Sequence, residues 1–264
     1  MERTQELYKF IFNAKLNGVK ILVLIALLFV SHLLFAKPII LNDELRNRHI
    51  PLEIYSSNKK VNCTVSHKCS VAILSAGYGV VHTDYSFIAT TLIKNGYLVV
   101  AIQHEIDGDP PLASSGNFIE TRRENWERGA QTIRFVQGEL KKTFLEYDFD
   151  HVMLIGHSNG GDISAWLANQ GDDFITAVVT LDNRRAPLPR DKSLRVFSIR
   201  ASDFEADEGV LPDVKERNVF AICTVKIPHA EHNDLTDAGP RWLKTDVQTL
   251  LAKYVKGEVC PSLD

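Results

Sequence analysis

The sequence has no run of lysine and arginine of the kind that tracks a phosphate backbone, and its formal net charge is only −3 over 264 residues. A nucleic acid is therefore not an expected partner. Internal repeats and low-complexity tracts are missing too, which excludes a solenoid and a disordered chain. There is no CxxC pair, and the stretch HAEH at His229 to His232 lacks the five-residue H-E-x-x-H frame, so no metal site is expected. Cysteine is scarce, with four residues, and none follows the N-terminal apolar stretch at the spacing of a lipid anchor. Apolar residues, at 45%, are plentiful enough for one well-buried domain.

The first 36 residues differ from the rest. Arg3, Lys9, Lys15 and Lys20 lead into ILVLIALLFV, then SHLLFA, then Lys37 and Pro38. A basic region, an apolar core and a small residue, in that order, read as a secretory signal peptide over residues 1–36. An uncleaved N-terminal membrane anchor is the alternative, since Leu34 is bulky for a cleavage pocket. The core is short for a bilayer span. Membrane contact is expected only through this segment, and only if it is retained. The expected location is thus periplasmic or secreted, where cysteines form disulfides. Cys63 and Cys69 could close a small loop, and Cys223 with Cys260 could staple the C-terminal helix to a late strand, although four cysteines allow three pairings.

From Lys37 onward, apolar strand-like runs alternate with helical patterns, which predicts an α/β domain over residues 37–264. Its sheet should be mostly parallel, with helices on both faces. HIPLEIYSS reads as a half-exposed early strand, CSVAILS and YLVVAIQHE as buried ones, and DYSFIATTLIKNG and RENWERGAQTIRFVQGELKKTF as helices. Further strands are read in FITAVVTLD, LRVFSIRAS and VFAICTVKI, before a terminal helix in PRWLKTDVQTLLAKYV.

The most informative stretch is HVMLIGHSNGGDISAWLA, where a short branched run passes through Gly156-His157-Ser158-Asn159-Gly160 into a helix. This is the G-x-S-x-G nucleophile elbow. A serine on so sharp a strand-to-helix turn leaves no room for side chains two residues before and after it, which is why Gly156 and Gly160 flank it. The turn also puts the Asn159 N–H at a helix start, where it can meet a developing negative charge. A serine needs a base, and only His229 and His232 follow the elbow. His232 is preferred, with His229 as its rival. His157 is read as packing beside the serine rather than as its base, because neighbouring side chains on a strand point opposite ways. The turn Ser75-Ala76-Gly77-Tyr78-Gly79 supplies the second oxyanion N–H, with Tyr78 preferred over Gly79.

With these features in order, the chain resembles the α/β-hydrolase superfamily over most of residues 43 to 256. ELRNRHIPLEIY and RENWERGAQTIRFV resemble more narrowly the dienelactone hydrolase and platelet-activating-factor-acetylhydrolase-like branch. The resemblance implies ester hydrolysis by a Ser-His-Asp triad through an acyl-enzyme, without cofactor or metal, on a small-molecule ester. It also implies that the acid follows the second strand after the elbow, which favours Asp203; Asp182 and Asp207 are the other candidates. NRRAPLPRDKS is too short for a large cap, so little or no cap domain is expected. Acyl transfer by the same triad, or a catalytically silent binding protein, are the alternative functions.

Overall fold

The computed structural model describes residues 35–57 and 63–263. Eight strands form one sheet in the order β1-β2-β4-β3-β5-β6-β7-β8. The strands are β1 (Phe35–Asp43), β2 (Arg48–Ser56), β3 (Cys69–Ser75), β4 (Leu98–Ile102), β5 (Tyr147–His157), β6 (Ile175–Leu181), β7 (Arg195–Arg200) and β8 (Cys223–Lys226). β2 pairs antiparallel with β1 and β4, and every pairing from β4 to β8 is parallel. The helices are α1 (Ser86–Lys94), α2 (Phe118–Thr121), α3 (Arg123–Thr143), α4 (Asn159–Ala168), α5 (Val214–Phe220) and α6 (Arg241–Val255).

Alternation along the buried strands divides the core in two. Ala72, Leu74, Val99, Ala101, Met153 and Ile155 face the layer that contains Ile88 and Leu92 of α1 and Leu250 and Leu251 of α6. Val71, Ile73, Val100, Ile102, Val152 and Leu154 face the opposite layer, with Trp126, Ile133 and Val136 of α3 and Ile163 and Leu167 of α4. Each strand between β2 and β7 is therefore covered on both faces, and the sheet's loops at one end are free to carry chemistry.

Three local readings change. β2 is mostly buried rather than half-exposed, because it lies inside the sheet between β1 and β4. The run VFAICTVKI is divided, with Val219 and Phe220 ending α5 and only Cys223–Lys226 forming strand. α5 starts with a capping box in which Asp213 and Glu216 satisfy each other's backbone N–H groups. Residues 35–43 form an edge strand that the sequence pattern leaves unassigned. Apart from Phe35 and Ala36, which open that strand, the leader reading lies outside the described residues. No helix among the described residues is long and apolar enough to cross a membrane. No helix lies between β6 and β7, so there is no cap there. The cysteines pair as Cys63–Cys69 and Cys223–Cys260.

Candidate active site

Ser158 stands where β5 ends and α4 begins, with φ 52° and ψ −122°. Its N–H donates to the Leu181 carbonyl at 2.9 Å, and its carbonyl accepts from Asp162 N–H at 3.0 Å, so the turn is held from both sides. The flanking glycines are required sterically. A Cβ on Gly156 would lie 2.2 Å from the Gly160 carbonyl oxygen, and one on Gly160 would lie 2.2 Å from that of Ser75. Both clashes are with backbone, which cannot rotate away.

The loop after β8 enters a single 3-10 turn, His232–Asp234. There His232 Nε2 lies 2.8 Å from Ser158 Oγ, and His232 Nδ1 lies 2.6 Å from an Asp182 carboxylate oxygen. His229, in the same loop, is not the residue that meets the serine.

The acid beside His232 is Asp182, which corrects the preference for Asp203. Asp182 follows β6, is fully buried, and takes the N–H of Ala201 at 3.1 Å. Arg184 and Arg200 also reach its carboxylate, each at 2.9 Å. Burial alone would raise its pKa, but the His232 hydrogen bond and the guanidiniums of Arg200 and Arg184 outweigh it and hold the carboxyl down at about 2. Asp203 is turned to the surface and approaches only Arg184, at 3.5 Å. Asp207 pairs with Arg185 instead. Asp182 therefore ion-pairs with Arg184 and Arg200 while it contacts His232.

Of the expected oxyanion donors, Asn159 directly follows Ser158 and Tyr78 directly follows Gly77. A Cβ on Gly77 would come within 3.4 Å of Ser158 Cβ, so the turn after β3 passes directly beside Ser158. The Tyr78 hydroxyl accepts from Leu112 N–H at 3.2 Å, which ties the long loop after β4 to this turn. The Asn159 side chain is fixed on three sides. It accepts from the Trp126 indole N–H at 3.1 Å and donates to Asn125 at 2.8 Å and Glu105 at 3.1 Å. None of these three partners was evident from the sequence, because each reaches Asn159 from a distant element. A separate groove of about 580 Å³, lined by Arg46, Arg48, Arg123 and Arg128 among others, is not lined by Ser158, Asp182 or His232. Among the described residues no group of three or more His, Cys, Asp or Glu side chains could hold a metal ion.

A hydroxyl, an imidazole and a buried carboxylate in line can move a proton from the hydroxyl to the ring and stabilise the ring's charge. No protein-family model matches the chain, and no curated protein matches it. Solved structures do resemble it. A dienelactone hydrolase candidate from Klebsiella pneumoniae subsp. pneumoniae aligns at TM-score 0.60 and 14% identity, over 85% of this chain and 99% of that one. A dienelactone hydrolase-like promiscuous phosphotriesterase, P91, from metagenomic libraries aligns at 0.60 and 16%, over 85% and 98%. A ferulic acid esterase from Streptomyces cinnamoneus aligns at 0.57 and 16%, over 85% and 88%. The chain has the α/β-hydrolase fold, and the solved structures that share it include dienelactone hydrolase-like proteins.

Proposed function

We propose that the protein is an exported serine hydrolase that cleaves small carboxylic esters. The observation that carries the reading is the line from Ser158 Oγ to His232 Nε2 at 2.8 Å and from His232 Nδ1 to Asp182 at 2.6 Å. Ser158 Oγ attacks the ester carbonyl as His232 Nε2 takes its proton, and the electron pair of the carbonyl moves onto oxygen. The N–H groups of Tyr78 and Asn159 are suited to hold that oxyanion. Collapse of the tetrahedral intermediate expels the alcohol, which leaves with the proton from His232. Water, deprotonated by the same ring, then releases the acid from the acyl-enzyme. Asp182 keeps Nδ1 protonated and stabilises the imidazolium in both halves. The names of the structural neighbours, which include hydrolases and esterases, support the same chemistry. Export is supported by the basic-then-apolar leader and by two disulfides, which an oxidising compartment sustains.

The test is labelling by a fluorophosphonate together with hydrolysis of p-nitrophenyl acetate. The parent should be labelled on Ser158 and should turn over the ester. Ser158→Ala should fold, resist labelling and lose on the order of a millionfold in kcat. A folded parent that is neither labelled nor active would favour the binding-protein reading. Undiminished hydrolysis by Ser158→Ala would remove the mechanism.

A further inference from the structure

His157 and Tyr85 are buried beside the triad, and the mechanism above uses neither. Four hydrogen-bonding groups meet there. Gly77 N–H lies 2.9 Å from the Tyr85 hydroxyl, which lies 3.0 Å from His157 Nδ1. The other ring nitrogen, Nε2, lies 3.0 Å from the backbone carbonyl of His232.

The two ends of this chain fix its direction. A carbonyl can only accept, so His157 Nε2 must carry a proton. A backbone N–H can only donate, so the Tyr85 oxygen accepts from Gly77 and spends its own proton elsewhere. The acceptor it faces is Nδ1, which has a free lone pair only while the ring is neutral. Burial, reinforced by the neighbouring His232, pushes the His157 pKa down to about 3, so the ring is neutral near pH 7. The charged or titratable groups facing it are Tyr85, His232, Asp182 and Arg184. Each donor and acceptor along the path is used once.

The path joins three separate segments. Gly77 precedes Tyr78 in the turn after β3, His157 precedes the nucleophile, and the accepting carbonyl belongs to His232. Tyr85 is itself anchored, because it immediately precedes α1. Asp237, five residues beyond His232, accepts from the first N–H groups of that helix, Ser86 at 2.8 Å and Phe87 at 3.3 Å. Asp237 N–H in turn donates to the Asp84 carbonyl at 2.8 Å. The loop that carries the base is thus tied to the start of α1 at two points, one of them through His157.

We propose that Tyr85 and His157 are positioning residues. They clamp the oxyanion turn and the loop of the base to the elbow through one directional chain, Gly77 N–H to Tyr85 O–H to His157 to the His232 carbonyl. This rests on the esterase reading for its kinetic consequence but not for its geometry. The residue before the nucleophile is then a histidine because two opposed hydrogen bonds are needed from one flat, buried side chain. A phenylalanine could supply neither.

The experiment has two arms. In the first, nitrogen-15 NMR of the parent at neutral pH should show His157 as a neutral ring protonated on Nε2. A charged ring, or one protonated on Nδ1, would overturn the proposal whether or not the protein hydrolyses esters. In the second, Tyr85→Phe, His157→Gln and the double variant are compared with the parent, with activity normalised to sites titrated by fluorophosphonate. Tyr85→Phe keeps the buried ring and should fold. It should lower kcat by about ten- to a hundredfold, the scale of a small misplacement of reacting groups, with KM within about twofold. The double variant should be no worse than the poorer single, because the chain fails as one unit. A purely structural role would lower the melting temperature and leave kcat per titrated site unchanged, and that result would overturn the proposal. Absence of any ester hydrolysis in the parent would count against the esterase reading alone, and the NMR arm would still decide the chain.

Discussion

The turn that ends β6 and the loop that ends β7 leave neighbouring strands of one parallel sheet, and each carries an aspartate. Asp182 is fully buried and is met by His232, Arg184, Arg200 and the Ala201 N–H. Asp203 keeps a quarter of its side chain in water and has Arg184 at 3.5 Å. Its loop works instead as a brace: the N–H of Ser202 donates to the Ala230 carbonyl at 2.8 Å, and the Ser202 hydroxyl reaches the same oxygen at 3.0 Å. Phe204 lies under the Arg184 guanidinium at 4.7 Å. What separates an orienting acid from a bystander is dryness and saturation. A buried carboxylate held by several donors and two guanidiniums is restrained from swinging, and in low dielectric its charge is felt by the imidazole.

Exchanging the two aspartates one at a time should break this comparison most visibly. Asp182→Asn should cut kcat by about ten-thousandfold while substrate binding changes little, measured in protein shown to be folded. If Asp203→Asn collapsed and Asp182→Asn did not, the triad would have to be rebuilt on the β7 loop.

A second, smaller effect concerns acid stability. The Asp182 carboxyl is depressed from 3.8 to about 2, so its contribution is fully present above the unfolded value and is lost as pH falls from about 4 towards 2. Urea unfolding of the parent and of Asp182→Asn should show a stability gap that narrows by on the order of 2 kcal/mol across that window. A gap independent of pH would mean that Asp182 is not held ionised by its neighbours. The smallest effect is expected at the other aspartate. Asp203→Asn should leave kcat within tenfold of the parent and stability within about 0.5 kcal/mol, as for an exposed ion pair.

The same contrast explains what was readable beforehand. Gly156, Ser158 and Gly160 were legible because the steric demand of the elbow is local, and His232 because chain order left two histidines to choose between. The alternating strands and helices gave the layered sheet for the same reason, since periodicity is written within each segment. The choice between Asp182 and Asp203 depends on the path of the loop that brings His232 over β6, a matter of tertiary geometry. Tyr85 was hidden similarly, being 72 residues from the His157 ring it meets. α5 was a different kind of miss. Asp213 and Glu216 are a local capping signal, but Val219 and Phe220 run into the apolar start of β8 and drew the whole run into one strand.

Five non-glycine residues have positive φ, among those described, and three of them are Ser158, Asp182 and His229, which lie in the segments that carry Ser158, Asp182 and His232. Left-handed backbone costs a side chain on the order of 1 to 3 kcal/mol where it must be held. The site is therefore assembled against a local conformational preference, and the rest of the fold must supply the difference. Ser158→Gly should consequently melt higher than Ser158→Ala, which keeps the offending Cβ, by an amount worth about 1 kcal/mol. Both would be inactive. On the proposed reading the protein gives up thermal tolerance at Ser158 and Asp182 themselves and at His229 in the loop that delivers His232, and stability gained by relaxing Ser158 or Asp182 would be taken from catalysis.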